Sequence, residues 1–291
     1  MMFPFGGITP AEGAPVRIAV IPCGFEVSTT FHQGTRFGPR RLLEASTEIE
    51  LFDLELGFSP WDGGILTLEE PPLMDAAGPV IESLERLIGD QLDAGRFPLL
   101  LGGEHTIAVG GGRAVAARFP EVGFLQIDAH SDYRASYHGN PLNHACVGRR
   151  LSELGPVVMV GIRSVSEEEW RELPADPQIA LFPAHALRTP GWQEQVVEAL
   201  PPNVYLTLDL DGLDPSVVPG VGTPEPGGIG WNDLLTVLHV LFEKRQVVGA
   251  DICELRPEPG TPRSESVAAR IAQRICGLHL RSPHGRWEDV G

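Results

Sequence analysis

The 291-residue chain lacks several things, and each absence narrows what it can be. No uninterrupted apolar run approaches the length needed to cross a bilayer, which excludes a membrane-spanning helix. No basic segment followed by an apolar block opens the chain, so no signal peptide is expected. Cysteine is scarce: Cys23, Cys146, Cys253 and Cys276 form no C-x-x-C pair, and three of them sit inside apolar stretches. That usage fits buried, reduced thiols in a cytoplasmic protein. Positive charge is in deficit, with 22 Lys and Arg against 39 Asp and Glu and a formal net charge of −17. An acidic chain repels nucleic acid and anionic membranes and attracts cations, although a solvated acidic surface accounts for most of that charge. No internal repeat, low-complexity tract or linker interrupts the chain, and one domain over 1–291 is the simplest expectation. The chain is 42% apolar and 21% charged, which supports a large core and argues against disorder.

Short apolar runs alternate with longer amphipathic ones. Buried strands are predicted at 16–22, 97–103, 122–128, 156–162, 204–210 and 247–253, with weaker ones at 178–182 and near 49–56. Helical patterns cover 79–93, 105–118, 144–154, 166–172, 192–200, 231–245 and 264–280. The Pro/Gly-rich stretches 1–15, 57–73 and 215–230 read as loops. Strands apolar on both faces, alternating with helices, imply an α/β fold: a three-layer αβα sandwich around a mostly parallel sheet of about eight strands. In such sheets ligands bind outside the carboxyl ends of the strands.

Four predicted strand ends carry polar residues. "LLLGGEHT" runs through two glycines into Glu104 and His105. "LQIDAHSD" places Asp128, His130 and Asp132 on one face while the chain stays extended. "TLDLDGLDP" does the same for Asp209 and Asp211, and "DICEL" ends at Glu254. Each has a bland reading as a cap, a turn or a backbone acceptor. Their coincidence at one sheet edge does not, because the clustered carboxylates would repel one another away from water. A pair of divalent cations relieves this. Four Asp and two His form a hard, oxygen-rich donor set that suits Mn²⁺ better than structural Zn²⁺, with iron and cobalt also compatible.

Together "GGEHT", "DAHSD", "TLDLDGLDP", "GTPEPGG" and "DICEL", with "GTRFGPR" at 34–40, resemble the ureohydrolase family of arginases and agmatinases, in order, from about residue 16 to residue 275. The resemblance implies an arginase-like fold, a trimer or hexamer, and two Mn²⁺ per chain. One ion would be held by His105, Asp128, Asp132 and Asp209, the other by Asp128, His130, Asp209 and Asp211. It also implies hydrolysis of a small cationic guanidine to urea and an amine by a metal-bridging hydroxide that Asp132 orients. Glu254 fits the carboxylate that receives the guanidinium, and a planar cation with paired N–H donors favours such an acceptor. "NHACVGRR" resembles the agmatinase segment that supplies the proton shuttle, which selects His144 over His138. Asp251 is expected behind the ligands. His32, His185, His239, His279 and His284 match no motif and read as structural or exposed. The family often has "GGDHS" where this chain has "GGEHT"; neither Glu104 nor Thr106 is an expected ligand.

Arginases carry an "SGN"-type loop after D-x-H-x-D that reads the amino-acid end of arginine. This chain has "YRASYHGNPLNHACV" there, and Glu225 where arginases typically have an apolar residue. It also lacks the "SGTPF" type of formiminoglutamases. Agmatine is therefore the first expectation for the substrate. N1-aminopropylagmatine, guanidinobutyrate (with Arg134 facing its carboxylate) and arginine remain on the same chemistry. A metal-binding relative without turnover, or an arginase-fold deacylase with a single zinc, stands as the alternative class.

Overall fold

A computed structural model describes residues 3–284. Eight strands form one sheet: β1 (Ile18–Cys23), β2 (Ile65–Thr67), β3 (Phe97–Gly102), β4 (Val122–Ile127), β5 (Val157–Ile162), β6 (Ile179–Pro183), β7 (Asn203–Asp209) and β8 (Gln246–Cys253). Their order is β2-β1-β3-β8-β7-β4-β5-β6, and every pairing between them is parallel. β1, β3, β4 and β5 are buried along their full length. Both of their faces must therefore be covered, which explains why these segments read as continuous apolar runs.

Helices α1 (Gly38–Ser46), α2 (Ala77–Asp93), α3 (Ala108–Ala116), α4 (Val147–Ser152), α5 (Glu167–Glu172), α6 (Trp192–Glu198), α7 (Trp231–Lys244) and α8 (Arg263–Arg281) supply the cover. On one face Leu42 and Leu43 of α1, Val196 of α6, Leu238 of α7 and Ile271 of α8 pack on Val20, Leu99, Leu206 and Ile252. On the other, Ile81 and Leu84 of α2, Val115 of α3 and Leu151 of α4 pack on Ile21, Leu100, Phe124 and Val248. Each such side chain, fully buried, contributes about 1.5–3 kcal/mol. The three-layer αβα architecture expected from the sequence is the one observed.

The edge strand is a correction. No strand lies at 49–56. There the Asp53 carboxylate accepts from the Glu55 and Leu56 amides at 3.0 Å each and closes a turn instead. The eighth strand is β2, inside the 57–73 stretch expected to be loop, and it is too short to show an alternating pattern. Helix α1 lies outside the helical patterns expected from the sequence. Proline is tolerated in a first helical turn, where its missing N–H has no partner to lose. The helices expected at 105–118 and 144–154 begin as 3₁₀ turns, His105–Ile107 and His144–Cys146, before α3 and α4. Phe5–Gly7 forms a further 3₁₀ turn within the expected loop 1–15; residues 1–2 of that loop lie outside the described residues.

Candidate active site

Four adjacent strands, β3, β8, β7 and β4, end at one place on the carboxyl edge of the sheet, and each delivers part of the site. After β3 the chain turns through Gly103, where a Cβ would lie 2.2 Å from the Phe25 carbonyl oxygen; only glycine fits. His105 follows, 1% exposed. Its Nδ1 lies 3.3 Å from Asp128 Oδ2, 2.9 Å from Asp132 Oδ2 and 3.5 Å from Asp209 Oδ2. On the next strand end, His130 Nδ1 lies 3.0 Å from Asp211 Oδ2 and 3.7 Å from Asp128 Oδ1. Asp128 thus belongs to two groups of potential ligands, one with His105 and Asp132, the other with His130 and Asp211.

All six residues singled out in the sequence come together, though not by strand alternation alone. β4 ends at Ile127. Asp132 reaches back to His105 because its backbone adopts a left-handed conformation, φ 48°. Beyond β7, residues Leu210–Gly212 form a 3₁₀ turn in which Asp209 Oδ1 accepts from the Asp211 amide at 2.9 Å. Glu254 directly follows β8 at φ 65°, and its Oε1 accepts from the His105 amide at 2.7 Å. Two of the four non-glycine residues at positive φ among those described are thus in the site, strain of the kind functional sites hold.

The electrostatics follow from burial without counter-cations. Among the described residues, the ion pairs of Asp128, Asp132, Asp209 and Asp211 are with His105 and His130 alone. Burial and the Asp211 charge raise Asp128; burial and Asp128 push Asp132 up to about 7. Burial, with Asp211 and Asp128, holds Asp209 well above the carboxylate range. Burial opposes charge on the two imidazoles, yet Asp128 and Asp132 hold His105 well above its ordinary value, and Asp211 carries His130 to about 10. Burial alone would raise Asp211; the His130 bond and the Ala129 amide bring it down. Burial, Glu104 and Asp211 hold Glu254 well above the usual range. His144 goes the other way, to about 4, through burial and the charges of His105 and His130.

The donor set fits a pair of divalent cations. His105 Nε2 lies 2.8 Å from Thr207 Oγ1, and that hydroxyl donates to Asp251 Oδ1 at 2.9 Å. Nε2 therefore keeps its hydrogen on His105, and Nδ1, which faces three carboxylates, is the nitrogen left to ligate a cation once its own proton has gone. Asp251 occupies the supporting position expected of it.

A cavity of about 240 Å³ opens onto this cluster, lined in part by Glu254, His144, Arg134 and Tyr137. His138 and Glu225 do not line it. His138 packs against Tyr137 with the rings tilted and their centroids 4.2 Å apart, and the Glu225 carbonyl accepts from Arg163 Nη2 at 2.8 Å. Arg134 lies over the Tyr137 ring at 4.8 Å and 3.6 Å from Glu169.

Sequence reasoning missed three residues. Arg163 gathers the carbonyls of Gly161, Asp211, Gly212, Leu213 and Glu225 and fixes the loop behind Asp211; an arginine closing the apolar run "VVMVGI" was its signal. Glu104, wholly buried, accepts from the Val27 amide (2.7 Å), the Ser28 amide (2.6 Å), Ser28 Oγ (2.7 Å) and Thr106 Oγ1 (2.7 Å). Ser28 Oγ in turn lies 3.0 Å from His144 Nδ1. No local pattern announces these contacts, which link residues far apart in the chain.

The parallel eight-stranded sheet thus gathers at its carboxyl edge an Asp/His cluster whose spacing could hold metal ions. The chain belongs to the arginase family, whose model matches residues 16–277, and is a ureohydrolase of that binuclear metal-dependent family. It is 38% identical to an N(1)-aminopropylagmatine ureohydrolase of Synechocystis sp. over 91% of this chain and 89% of that protein. It is 36% identical to an agmatinase of Bacillus anthracis over 84% and 85%. The crystal structure of agmatine ureohydrolase of Thermoplasma volcanium superposes with a TM-score of 0.83 at 32% identity, over 90% of this chain and 89% of that one. Among the described residues no helix is long and apolar enough to cross a membrane.

Proposed function

We propose that the protein removes urea from a guanidine carried on a polyamine, with N1-aminopropylagmatine the first compound to test and agmatine the second. The observation that carries this reading is Glu254: a buried carboxylate in the cavity wall, beside the Asp/His cluster, with no Lys or Arg partner among the described residues. A guanidinium is the cation its two oxygens match. The order of substrates differs from the sequence expectation, in which agmatine stood first. It follows the relative at 38% identity, with the agmatinase at 36% favouring the second reading.

In this reading His105, Asp128, Asp132 and Asp209 hold one Mn²⁺ and Asp128, His130, Asp209 and Asp211 the other. When bound, the pair supplies an activated hydroxide near neutral pH. Glu254 receives and orients the planar guanidinium. Asp132 accepts a hydrogen bond from the attacking group and aims it at the guanidinium carbon. His144, in the cavity wall, carries the proton to the departing amine. One domain over 1–291 (of which 1–2 and 285–291 lie outside the described residues) and assembly into trimers or hexamers belong to the same proposal. The test is urea release by Mn²⁺-loaded protein on N1-aminopropylagmatine, agmatine, guanidinobutyrate and arginine in parallel. Turnover of the first two above the others supports the reading. Preferential turnover of arginine or guanidinobutyrate contradicts it.

A further inference from the structure

We infer that Ser28, held by Glu104, is a positioning residue that fixes the tautomer of His144, so that Nδ1 keeps its hydrogen and Nε2 is the atom that takes up and delivers the proton. The inference rests on the reading of His144 as the proton carrier.

It is drawn from counting donors and acceptors. Glu104 is 0% exposed and faces four donors. Oε2 is taken by the amides of Val27 (2.7 Å) and Ser28 (2.6 Å), whose hydrogens have no other orientation. Oε1 faces two hydroxyls, Ser28 Oγ and Thr106 Oγ1, each at 2.7 Å. A carboxyl group surrounded by donors accepts from all of them. The single Ser28 hydroxyl hydrogen therefore points at Glu104. What remains on Ser28 Oγ are lone pairs, and both face His144. One accepts from its backbone amide at 3.1 Å, and the other lies 3.0 Å from ring Nδ1. An oxygen with no hydrogen left to give requires a hydrogen on Nδ1. The neutral ring then has its basic lone pair on Nε2.

The same contacts orient the ring. The backbone and the ring of His144 are bound to one oxygen, and that oxygen is bound twice over, through its own amide and hydroxyl, to a buried carboxylate on the β3 strand end. The carboxylate sits next in sequence to His105, so the proton carrier and the metal-facing histidine are referenced to the same turn. When the ring takes a second proton, the charge is balanced by hydrogen-bond donation through Ser28 to Glu104, as an acidic partner behind an imidazole stabilises its charged form.

The test uses the Mn²⁺-loaded enzyme and four variants: Ser28→Ala, Ser28→Thr, His144→Gln and the double variant of the first and third. Ser28→Ala keeps both backbone amides on Glu104, so the loop stays anchored; metal content and melting temperature check this. Expected is a fall in kcat of about 10-fold or more with KM nearly unchanged, bounded by the loss in His144→Gln, since general acid–base transfer is worth about 10²–10⁴. Ser28→Thr, which retains the hydroxyl, restores most of kcat. In the double variant Ser28→Ala/His144→Gln the losses do not add. Nitrogen-15 spectra of histidine-labelled, cation-free protein, with the His144 signals assigned by their absence in His144→Gln, show the Nδ1–H form in the wild type and a shift toward Nε2–H in Ser28→Ala. Wild-type kcat in Ser28→Ala beside a crippled His144→Gln overturns the positioning role and leaves His144 as carrier. A fully active His144→Gln removes the carrier reading itself, and the inference with it.

Discussion

Loading the Asp/His cluster with divalent cations should expel at least two protons per chain. Without the cations, the carboxylates of Asp128, Asp132, Asp209 and Asp211 share a buried site with His105 and His130 and with no Lys or Arg partner among the described residues. Like charges at this spacing cannot all ionise away from water, so protons stand in for the cations. His130 is held at about 10 and His105 well above its ordinary value, so at neutral pH each ring carries a second hydrogen. Asp132, raised to about 7, holds a further fraction, and Asp209, held well above the carboxylate range, adds to the count. Ligation needs a neutral imidazole and an ionised carboxylate, and these protons leave on binding. On His105 the departing one is on Nδ1, since Nε2–H stays on Thr207. The sign follows: raised pKa values bind protons more tightly in the cation-free protein, so affinity rises with pH. Two protons correspond to roughly a hundredfold gain per pH unit around neutrality. Titration calorimetry with Mn²⁺ in buffers of different ionisation enthalpy counts the protons from the slope of heat against buffer enthalpy. A slope near zero, with affinity flat across neutral pH, would refute the reasoning.

Three further outcomes are expected. Glu254→Gln should keep its metal but lose about tenfold or more in kcat/KM, the difference between a charge-assisted and a neutral hydrogen bond, as read by metal analysis and kinetics; loss of metal would place Glu254 among the ligands. Thr207→Val, nearly isosteric, unties His105 Nε2 from Asp251 and should weaken cation binding about 10–100-fold by calorimetry. His279, stacked on Phe97 at 4.2 Å, is held at about 3 by burial and by Arg17, below its unfolded value of about 6.5. Its contribution is present above that unfolded value and is lost as pH falls toward 3. In urea titrations the stability gap between His279→Leu and wild type should therefore move in the variant's favour by about 2 kcal/mol between pH 7.5 and pH 5.

The strands that carry the chemistry were legible because they are buried on both faces and end abruptly in charge. β4 with Asp128, β7 with Asp209 and β8 with Glu254 are of this kind. The edge was not. β2 has three residues, and the period that marks a strand needs more. Residues 49–56 imitate a strand in composition, but the Asp53 carboxylate turns them. In the site, residue types and positions were readable, whereas the route by which Asp132 rejoins His105 was not, since positive φ at an aspartate has no local signature. Glu104, Ser28 and Arg163 act through contacts spanning tens of residues along the chain, and such pairings become visible only once the strand order is known.

The most direct measurement is urea release from N1-aminopropylagmatine and agmatine by Mn²⁺-loaded wild type and by Asp128→Asn, with metal counted in both. Asp128 is the residue common to both ligand groups. The expected result is two manganese ions and urea from the wild type, and neither from a folded Asp128→Asn. Undiminished urea release by Asp128→Asn, or a metal-loaded wild type that releases none from either compound, would contradict it.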